Sequence, residues 1–193
     1  MVRSAADRRH IFSFEDYVEI ADRSPNRVEF WEGAILDMSG GSPTHSAICA
    51  NILRILGAQL RGKPCRPFDA NLRVRSVAAN RSTYADATVV CGALEFDPAD
   101  KTRQTVLNPT LLVEVQSPTT ESDDHGATLD CYKMIASVRT VVLVAQDEVQ
   151  VILHERKADG SWTEGRYKDG ALELPAIGCR LPLAEIYEDL PEA

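Results

Sequence analysis

Between Asn108 and Tyr132 the chain sets one acidic side chain, Glu114, inside the apolar run Leu111-Leu-Val-Glu-Val-Gln-Ser117. Branched apolar residues in so short a run fit a strand buried inside a sheet. Moving an ionised carboxylate out of water costs on the order of several kcal/mol unless it is paired or bound to a metal. Glu114 therefore demands a built partner. Tyr84-Ala-Asp-Ala-Thr-Val-Val-Cys91 repeats the pattern, with Asp86 as the lone carboxylate of a strand-like segment. Two strands with one carboxylate each suit a hard divalent cation, because Mg²⁺ takes only one or two carboxylates besides waters and phosphate oxygens. The competing reading makes both of them strand-edge residues paired with nearby arginines.

The rest of the chain surrounds these strands with alternating elements. Phe14 to Ala21 is predicted helical, with Ser13 as its cap and Phe14, Tyr17, Val18 and Ala21 on one side. Val28 to Asp37 alternates around Glu32-Gly33, a tight hairpin. Gly40-Gly-Ser-Pro43 is a loop that feeds a helix from about Thr44 to Arg61, where Ile48, Ile52, Ile55 and Leu56 make an apolar stripe. Phe68 to Val77 and Tyr84 to Cys91 read as strands, Ala93 to Asn108 as an irregular loop, and Leu111 to Gln116 as a buried strand. A second helix starts at Asp123 or Asp124 and runs to about Ala136; Asp124 and His125 open it, and Ser117 and Thr120 read as turn and capping residues. Val141 to Ala145 and Val149 to Arg156 are further strands, and Trp162 to Tyr167 with Leu172 to Leu174 form a C-terminal β-meander. Runs of strands interrupted by two main helices give an α+β class, a mixed β-sheet flanked by helices. At 193 residues the expectation is a single domain, 1–193, with residues 1–12 as a flexible arm.

Composition narrows the setting. No apolar run approaches the ~18 residues of a membrane helix, and Met1 to His10 is polar, unlike a signal peptide. A cytoplasmic location is the expectation. The five cysteines are scattered, odd in number and without a CxxC spacing, which argues against a disulfide framework and a zinc site. A net charge of −8 opposes attraction of the whole surface to nucleic acid. From Arg54 to Arg81, however, seven basic residues stand against Asp69 alone, a local charge of +6. Arg73 and Arg75 alternate with Leu72 and Val74 and share one face. This band either tracks a phosphate backbone or is a solvated surface.

Several ordered pieces resemble the Uma2 family, also called DUF820, a group of putative restriction endonucleases. They are Val28-Glu-Phe-Trp-Glu-Gly33, Ser42-Pro-Thr-His45, Tyr84-Ala-Asp86, Asn108-Pro-Thr-Leu-Leu-Val-Glu-Val-Gln-Ser-Pro-Thr-Thr120, Asp124-His-Gly126 leading to Tyr132, and Leu172-Glu-Leu-Pro175 with Leu181 to Tyr187. The resemblance covers nearly the whole chain. It implies a PD-(D/E)xK nuclease fold, a restriction-endonuclease-like mixed sheet with an N-terminal hairpin. It also implies a Mg²⁺-dependent hydrolase of DNA phosphodiesters, with Mn²⁺ as an alternative ion, and a homo-oligomer, a dimer, as the assembly.

On that resemblance Asp86 and Glu114 are the metal ligands, with Gln116, His45 and Glu29 in catalytic or supporting places. Such nucleases carry a lysine two residues after the glutamate, where this chain has Gln116. Many members of the family carry it instead four residues before the tyrosine, where this chain has Thr128. Glutamine orients a water but supplies no cation. Lys133, one residue past Tyr132, lies about 100° around the helix and reads as a surface lysine. His45, in the first turn of a helix, is expected either to have a depressed pKa suited to a neutral ligand or base or to serve only in capping or packing. Glu29 is either an accessory acid or a strand-paired residue. Two alternatives stand beside the enzyme. One is a non-catalytic nuclease-fold protein that binds nucleic acid or a protein partner through the same cleft, and the other is an accessory protein whose function is its dimer surface.

Overall fold

A computed structural model of the chain describes residues 11–38, 40–116 and 124–191. Helix α1, Phe14–Arg23, starts at a capping box: Asp16 N–H donates to Ser13 Oγ at 3.1 Å, and Ser13 N–H donates back to Asp16 Oδ2 at 2.9 Å. The helix buries Phe14, Tyr17 and Val18. Strands β1, Val28–Trp31, and β2, Ala34–Asp37, form the expected hairpin. Its two-residue turn places Glu32 at φ 49° and Gly33 at φ 93°. Both angles are left-handed, as the tight hairpin turn requires. Phe12 N–H donates to Gly33 O at 2.9 Å, so the end of the expected arm is tied to this turn.

The predicted strand from Phe68 to Val77 divides in two. Strand β3, Cys65–Asp69, joins one sheet, and β4, Arg73–Ser76, joins another. The turn at Asp69 to Leu72 makes the switch, with Asn71 N–H donating to Asp69 Oδ1 at 3.0 Å. Strand β5, Arg81–Thr83, follows, then β6, Ala87–Cys91, which leaves Tyr84 to Asp86 as the link between the sheets. A short β7, Thr105–Val106, inside the expected loop, pairs in parallel with β4. The first sheet has the order β2-β1-β5-β4-β7.

Strand β8, Leu111–Gln116, leads through α3, Asp124–Lys133, to the parallel β9, Thr140–Ala145. Strands β10, Val151–Arg156, and β11, Trp162–Tyr167, extend this sheet antiparallel, giving the order β11-β10-β9-β8-β6-β3. The expected C-terminal meander is thus split. Trp162 to Tyr167 is an edge of the main sheet, while β12, Ala171–Leu174, pairs only with β13, Cys179–Pro182. Helix α4, Leu183–Ile186, closes the described chain. The roles read for Ser117 and Thr120 lie outside the described residues, as do the side chains of Asp124 and His125.

Helix α2, Pro43–Gln59, covers one face of the main sheet. Its stripe of Ile48, Ile52, Ile55 and Leu56 packs with Leu111, Val113 and Val115 of β8 and with the β12–β13 hairpin. The other face, which carries Leu112, Val141 and Leu143, packs on Tyr132 from α3, on Ile135 just beyond it, and on Val74 and Val106 from the first sheet. Period-two alternation along β8 therefore turns Glu114 and Gln116 toward the side of Leu112.

Two expectations are corrected here. Cys65 and Cys91 form a disulfide, since they stand directly opposite each other in the β3–β6 register. Spacing along the chain does not report such a pair; sheet register creates it. Cys49, Cys131 and Cys179 are free thiols. Arg73 and Arg75 of the basic band are not on the surface either, being only 2% and 8% exposed. Arg73 Nη2 contacts Asp22 Oδ1 at 2.7 Å and Asp100 Oδ2 at 3.3 Å, and Arg75 Nε reaches Asp97 Oδ2 at 3.0 Å. The Arg75 guanidinium also lies 3.4 Å from the centre of the Phe14 ring. Both arginines do share one face, but that face is shut beneath α1 and the loop that carries Asp97 and Asp100. Burial on its own would raise the Asp100 pKa, yet hydrogen bonds from Thr102 and Thr105 and the charge of Arg73 bring it below the usual value.

The network and the disulfide each make a stability prediction. Arg73→Ala leaves Asp100 buried without its cation, and is expected to cost about 3–5 kcal/mol in urea unfolding. A solvated surface arginine would cost within ~0.5 kcal/mol. Reduction of the Cys65–Cys91 bond, which closes a 26-residue separation, is expected to lower unfolding stability by about 3 kcal/mol in the same assay.

Candidate active site

Asp86 lies one residue before β6, and Glu114 lies within β8. Strands β6 and β8 are antiparallel, with Ala87 opposite Val113. Extending that register by one residue sets Asp86 across from Glu114. Asp86 is thus on the link between the sheets and not inside a strand, but still beside its expected partner. Its Oδ2 accepts the Val115 N–H at 2.8 Å, which ties the carboxylate to β8. Glu114 Oε1 accepts a short hydrogen bond from Tyr132 Oη of α3.

Glu29 of β1 enters from the first sheet, where its Oε1 accepts a short hydrogen bond from Thr83 Oγ1. Burial pushes the Glu114 carboxyl well above its ordinary range, and the nearby charges of Asp86 and Glu29 push it the same way. The hydrogen bond from Tyr132 opposes them. Burial raises the Tyr132 hydroxyl in turn, followed by the charge of Glu114. The three carboxylates of the sequence reading, Asp86, Glu114 and Glu29, therefore share one electrostatic environment.

His45 reaches this group from α2. Ser42 caps the helix by accepting the His45 N–H at 3.0 Å, and Ser42 Oγ also contacts Gln146 Oε1 at 3.0 Å. His45 Nε2 lies 3.2 Å from Asp86 Oδ2. The expected depression of the His45 pKa is reversed. Its hydrogen bond to Asp86 raises the value, outweighing burial, which lowers it. Gln116 sits two residues beyond Glu114 on β8, partly buried and with interactions of its own.

The cation question has a structural answer that spacing did not show. Thr128, one of the two places where the family keeps its lysine, takes a contact from Arg81: Nη2 is 3.3 Å from Thr128 Oγ1. Arg81 Nη1 donates to Ala127 O at 2.7 Å, and the guanidinium stacks 3.0 Å from the centre of the Trp31 ring. The residue is only 5% exposed, and no carboxylate pairs with it among the described residues. Arg81 and Thr83 alternate along β5 on one face. The arginine therefore flanks the stripe of Thr128 and Tyr132 on α3. Lys133 points elsewhere, with its amine 5.7 Å from the centre of the Trp162 ring. Sequence reasoning also missed Cys49, four residues after His45 and thus on the same face of α2.

A mixed sheet flanked by helices, with converging carboxylates where two sheets meet, places the molecule in the nuclease-fold class. The sequence profile of Uma2, described as "Putative restriction endonuclease", matches residues 14–184, and the chain belongs to that family. The uncharacterized protein slr1290 of Synechocystis is 31% identical over 178 residues, covering 91% of each chain. A second uncharacterized Synechocystis protein, sll1609, is 22% identical over 152 residues, 79% of this chain and 85% of that one. A crystal structure described as a putative nuclease belonging to DUF820, from Anabaena variabilis, superposes with a TM-score of 0.71 at 17% identity. It covers 91% of this chain and 97% of its own, and at that identity it shows the shared fold. Among the described residues no helix is long and apolar enough to cross a membrane.

The raised Glu114 pKa has a consequence for stability. A carboxyl whose pKa is higher folded than unfolded holds its proton longer in the native state. Stability then falls as pH rises from the ordinary glutamate range through the folded value. Glu114→Gln removes that loss and retains an acceptor for Tyr132. Without divalent ions, the variant is expected to melt higher than wild type at about pH 8, with the gap closing near about pH 4. Thermal unfolding at both values measures it.

Proposed function

We propose that this chain hydrolyses DNA phosphodiester bonds with a divalent cation, Mg²⁺ or Mn²⁺, held by Asp86 and Glu114. The observation that carries this reading is the β6–β8 register, which sets the two carboxylates opposite each other at the junction of the sheets. The donor set fits a hard ion, since oxygen ligands from one or two carboxylates are what Mg²⁺ takes from protein. Apart from His45 on Asp86, no cation pairs with these carboxylates among the described residues, and the charges of Asp86 and Glu29 crowd Glu114, which favours a metal ion between them. When bound, such an ion polarises the phosphate and lowers the pKa of a coordinated water.

The protein's own groups do the remaining work. Val115 N–H fixes the orientation of Asp86, and Tyr132 fixes that of Glu114. Gln116, on the same face as Glu114, orients a water through its amide. His45, hydrogen-bonded to Asp86 and biased toward the protonated form, positions that carboxylate and offers a proton near it. Glu29 belongs to the supporting shell through Thr83. Arg81 supplies positive charge on the flank where the family places a lysine, but from a fixed and buried position.

The second reading, a non-catalytic protein binding nucleic acid or a partner through this cleft, draws on the same feature. Neither lysine position holds a cation of its own, and loss of one preorganised donor beside developing charge costs about 10²–10³ in rate. Nicking of supercoiled plasmid with Mg²⁺ and Mn²⁺ decides between the two. Slow nicking is expected from wild type, with loss in Asp86→Ala. Gln116→Lys is expected to raise the rate by up to about 10²-fold. If neither wild type nor Gln116→Lys cuts while the protein still binds DNA, the binding reading replaces the enzyme.

A further inference from the structure

His45 and Cys49 project from successive turns of α2 toward the link that carries Asp86. One ring nitrogen of His45, Cys49 Sγ and one Asp86 carboxylate oxygen all lie within 4.8 Å of one another. The His45 Nε2 to Asp86 Oδ2 separation is 3.2 Å. Two N or O ligands of a tetrahedral ion, with bonds of ~2.0–2.2 Å, stand about 3.3–3.5 Å apart. The existing gap is thus already close to that of a ligand pair. Cys49 Sγ rests against the Nδ1 edge of the ring at 3.6 Å, and rotation of its side chain is what would bring the sulfur round a centre shared with Nε2 and the Asp86 oxygen.

The imidazole is held in place for this. A Cβ at Gly41 would fall 2.6 Å from His45 Nδ1, so only glycine lets the loop pack so tightly on the ring. With Nδ1 covered by Gly41 and Cys49, Nε2 is the nitrogen turned to Asp86. All three residues are partly exposed, which leaves solvent access for a further ligand.

This donor set does not suit a hard ion. Mg²⁺ takes oxygen ligands in near-octahedral geometry. A thiolate, an imidazole and one carboxylate match the borderline ions bound tetrahedrally through N, S and O. We propose that His45, Cys49 and Asp86 form a binding site for a transition-metal ion of the zinc or cobalt class. The site shares Asp86 with the hydrolytic reading above and rests on that reading for its functional meaning, but it does not use Glu114. On binding, the Cys49 S–H bond is exchanged for a sulfur–metal bond and the His45 Nε2–H of the imidazolium for a nitrogen–metal bond, and both protons pass to solvent. The absence of a CxxC spacing excluded a cysteine-rich structural site; a mixed site assembled from a helix and a sheet link leaves no such spacing.

The test is titration of the metal-free full chain with Co²⁺, followed by absorption, with the Cys65–Cys91 disulfide left intact. A near-ultraviolet thiolate-to-cobalt charge-transfer band is expected, with visible bands of tetrahedral strength that Zn²⁺ abolishes. Cys49→Ser and Cys49→Ala are expected to lose the charge-transfer band. They are also expected to weaken Zn²⁺ binding by more than the ~10–100-fold that loss of an outer partner costs. Wild type that takes up Co²⁺ without the band, or not at all, overturns the site. A band that persists in Cys49→Ser also overturns it, since the sulfur would then be Cys131 or Cys179. The two proposals fail separately. Plasmid nicking with Mg²⁺ and no cobalt band removes this site alone, whereas a Cys49-dependent band without nicking removes the hydrolytic reading alone.

Discussion

The antiparallel register of β6 against β8 is the constraint on which the site depends. It places Asp86 across from Glu114, and Val115 N–H then holds the Asp86 carboxylate in place. A slip of one residue would send Glu114 to the opposite face, into the apolar contact between β8 and α2. On the other edge of β6, its pairing with β3 brings Cys65 opposite Cys91. The apolar alternation of β8 fixes it from within: Leu111, Val113 and Val115 fill the α2 side, and the other side is left for Leu112, Glu114 and Gln116.

Charge is handled in opposite ways on the two sides of the molecule. Around Arg73 and Arg75 the buried cations are matched by Asp22, Asp97 and Asp100, and the network joins α1 and the Asp97–Asp100 loop to the first sheet. Around Asp86 and Glu114 carboxylates gather with no arginine or lysine paired to them among the described residues, and Glu114 is driven toward its protonated form. The first arrangement is what a stable interior requires. The second is locally unfavourable in the metal-free chain, and strain of this kind concentrates where proteins act on ligands. Tyr132 moderates the cost by donating to Glu114, and this ties α3 to β8 across the crossover they share.

Most of the elements were legible because their signals are local. The Ser13 cap, the Glu32-Gly33 turn, the stripe of α2 and the apolar runs of β8 and β9 each announce themselves within a few residues. So did the two central carboxylates, which stand out as charges inside apolar segments. What stayed hidden depends on contacts distant in sequence. The split of Phe68 to Val77 between two sheets arises at an ordinary Asp-Ala-Asn turn within an otherwise continuous strand pattern. The burial of Arg73 and Arg75 needs Asp97 and Asp100 from a loop that reads as irregular. The His45 pKa follows Asp86, forty-one residues on, and not the helix end it sits on. Arg81 lies far from Thr128 in the chain, so a count from Tyr132 finds an empty lysine position where the fold sets a guanidinium alongside.

Once those arginines are inside, the electrostatics of the surface change. Of the seven basic residues between Arg54 and Arg81, Arg73, Arg75 and Arg81 are buried, and Arg54 is paired with Glu185 and Glu188. Arg61, Lys63 and Arg66 remain exposed, beyond the C-terminal end of α2 and on β3. Within α2 the C-terminal Gln59 lies about 21 Å from His45 at ~1.5 Å per residue. That exceeds the Debye length of ~8 Å at physiological salt. The exposed cations therefore contribute little potential at the carboxylates. In the proposed function an anionic substrate at Asp86 and Glu114 would be drawn by what is local: a bound metal ion, the buried guanidinium of Arg81, and Arg27, whose charge reaches His45. On the proposed hydrolytic reading, a bound metal ion would serve substrate binding as well as chemistry, by offsetting the negative charge that a phosphate would meet at Asp86 and Glu29.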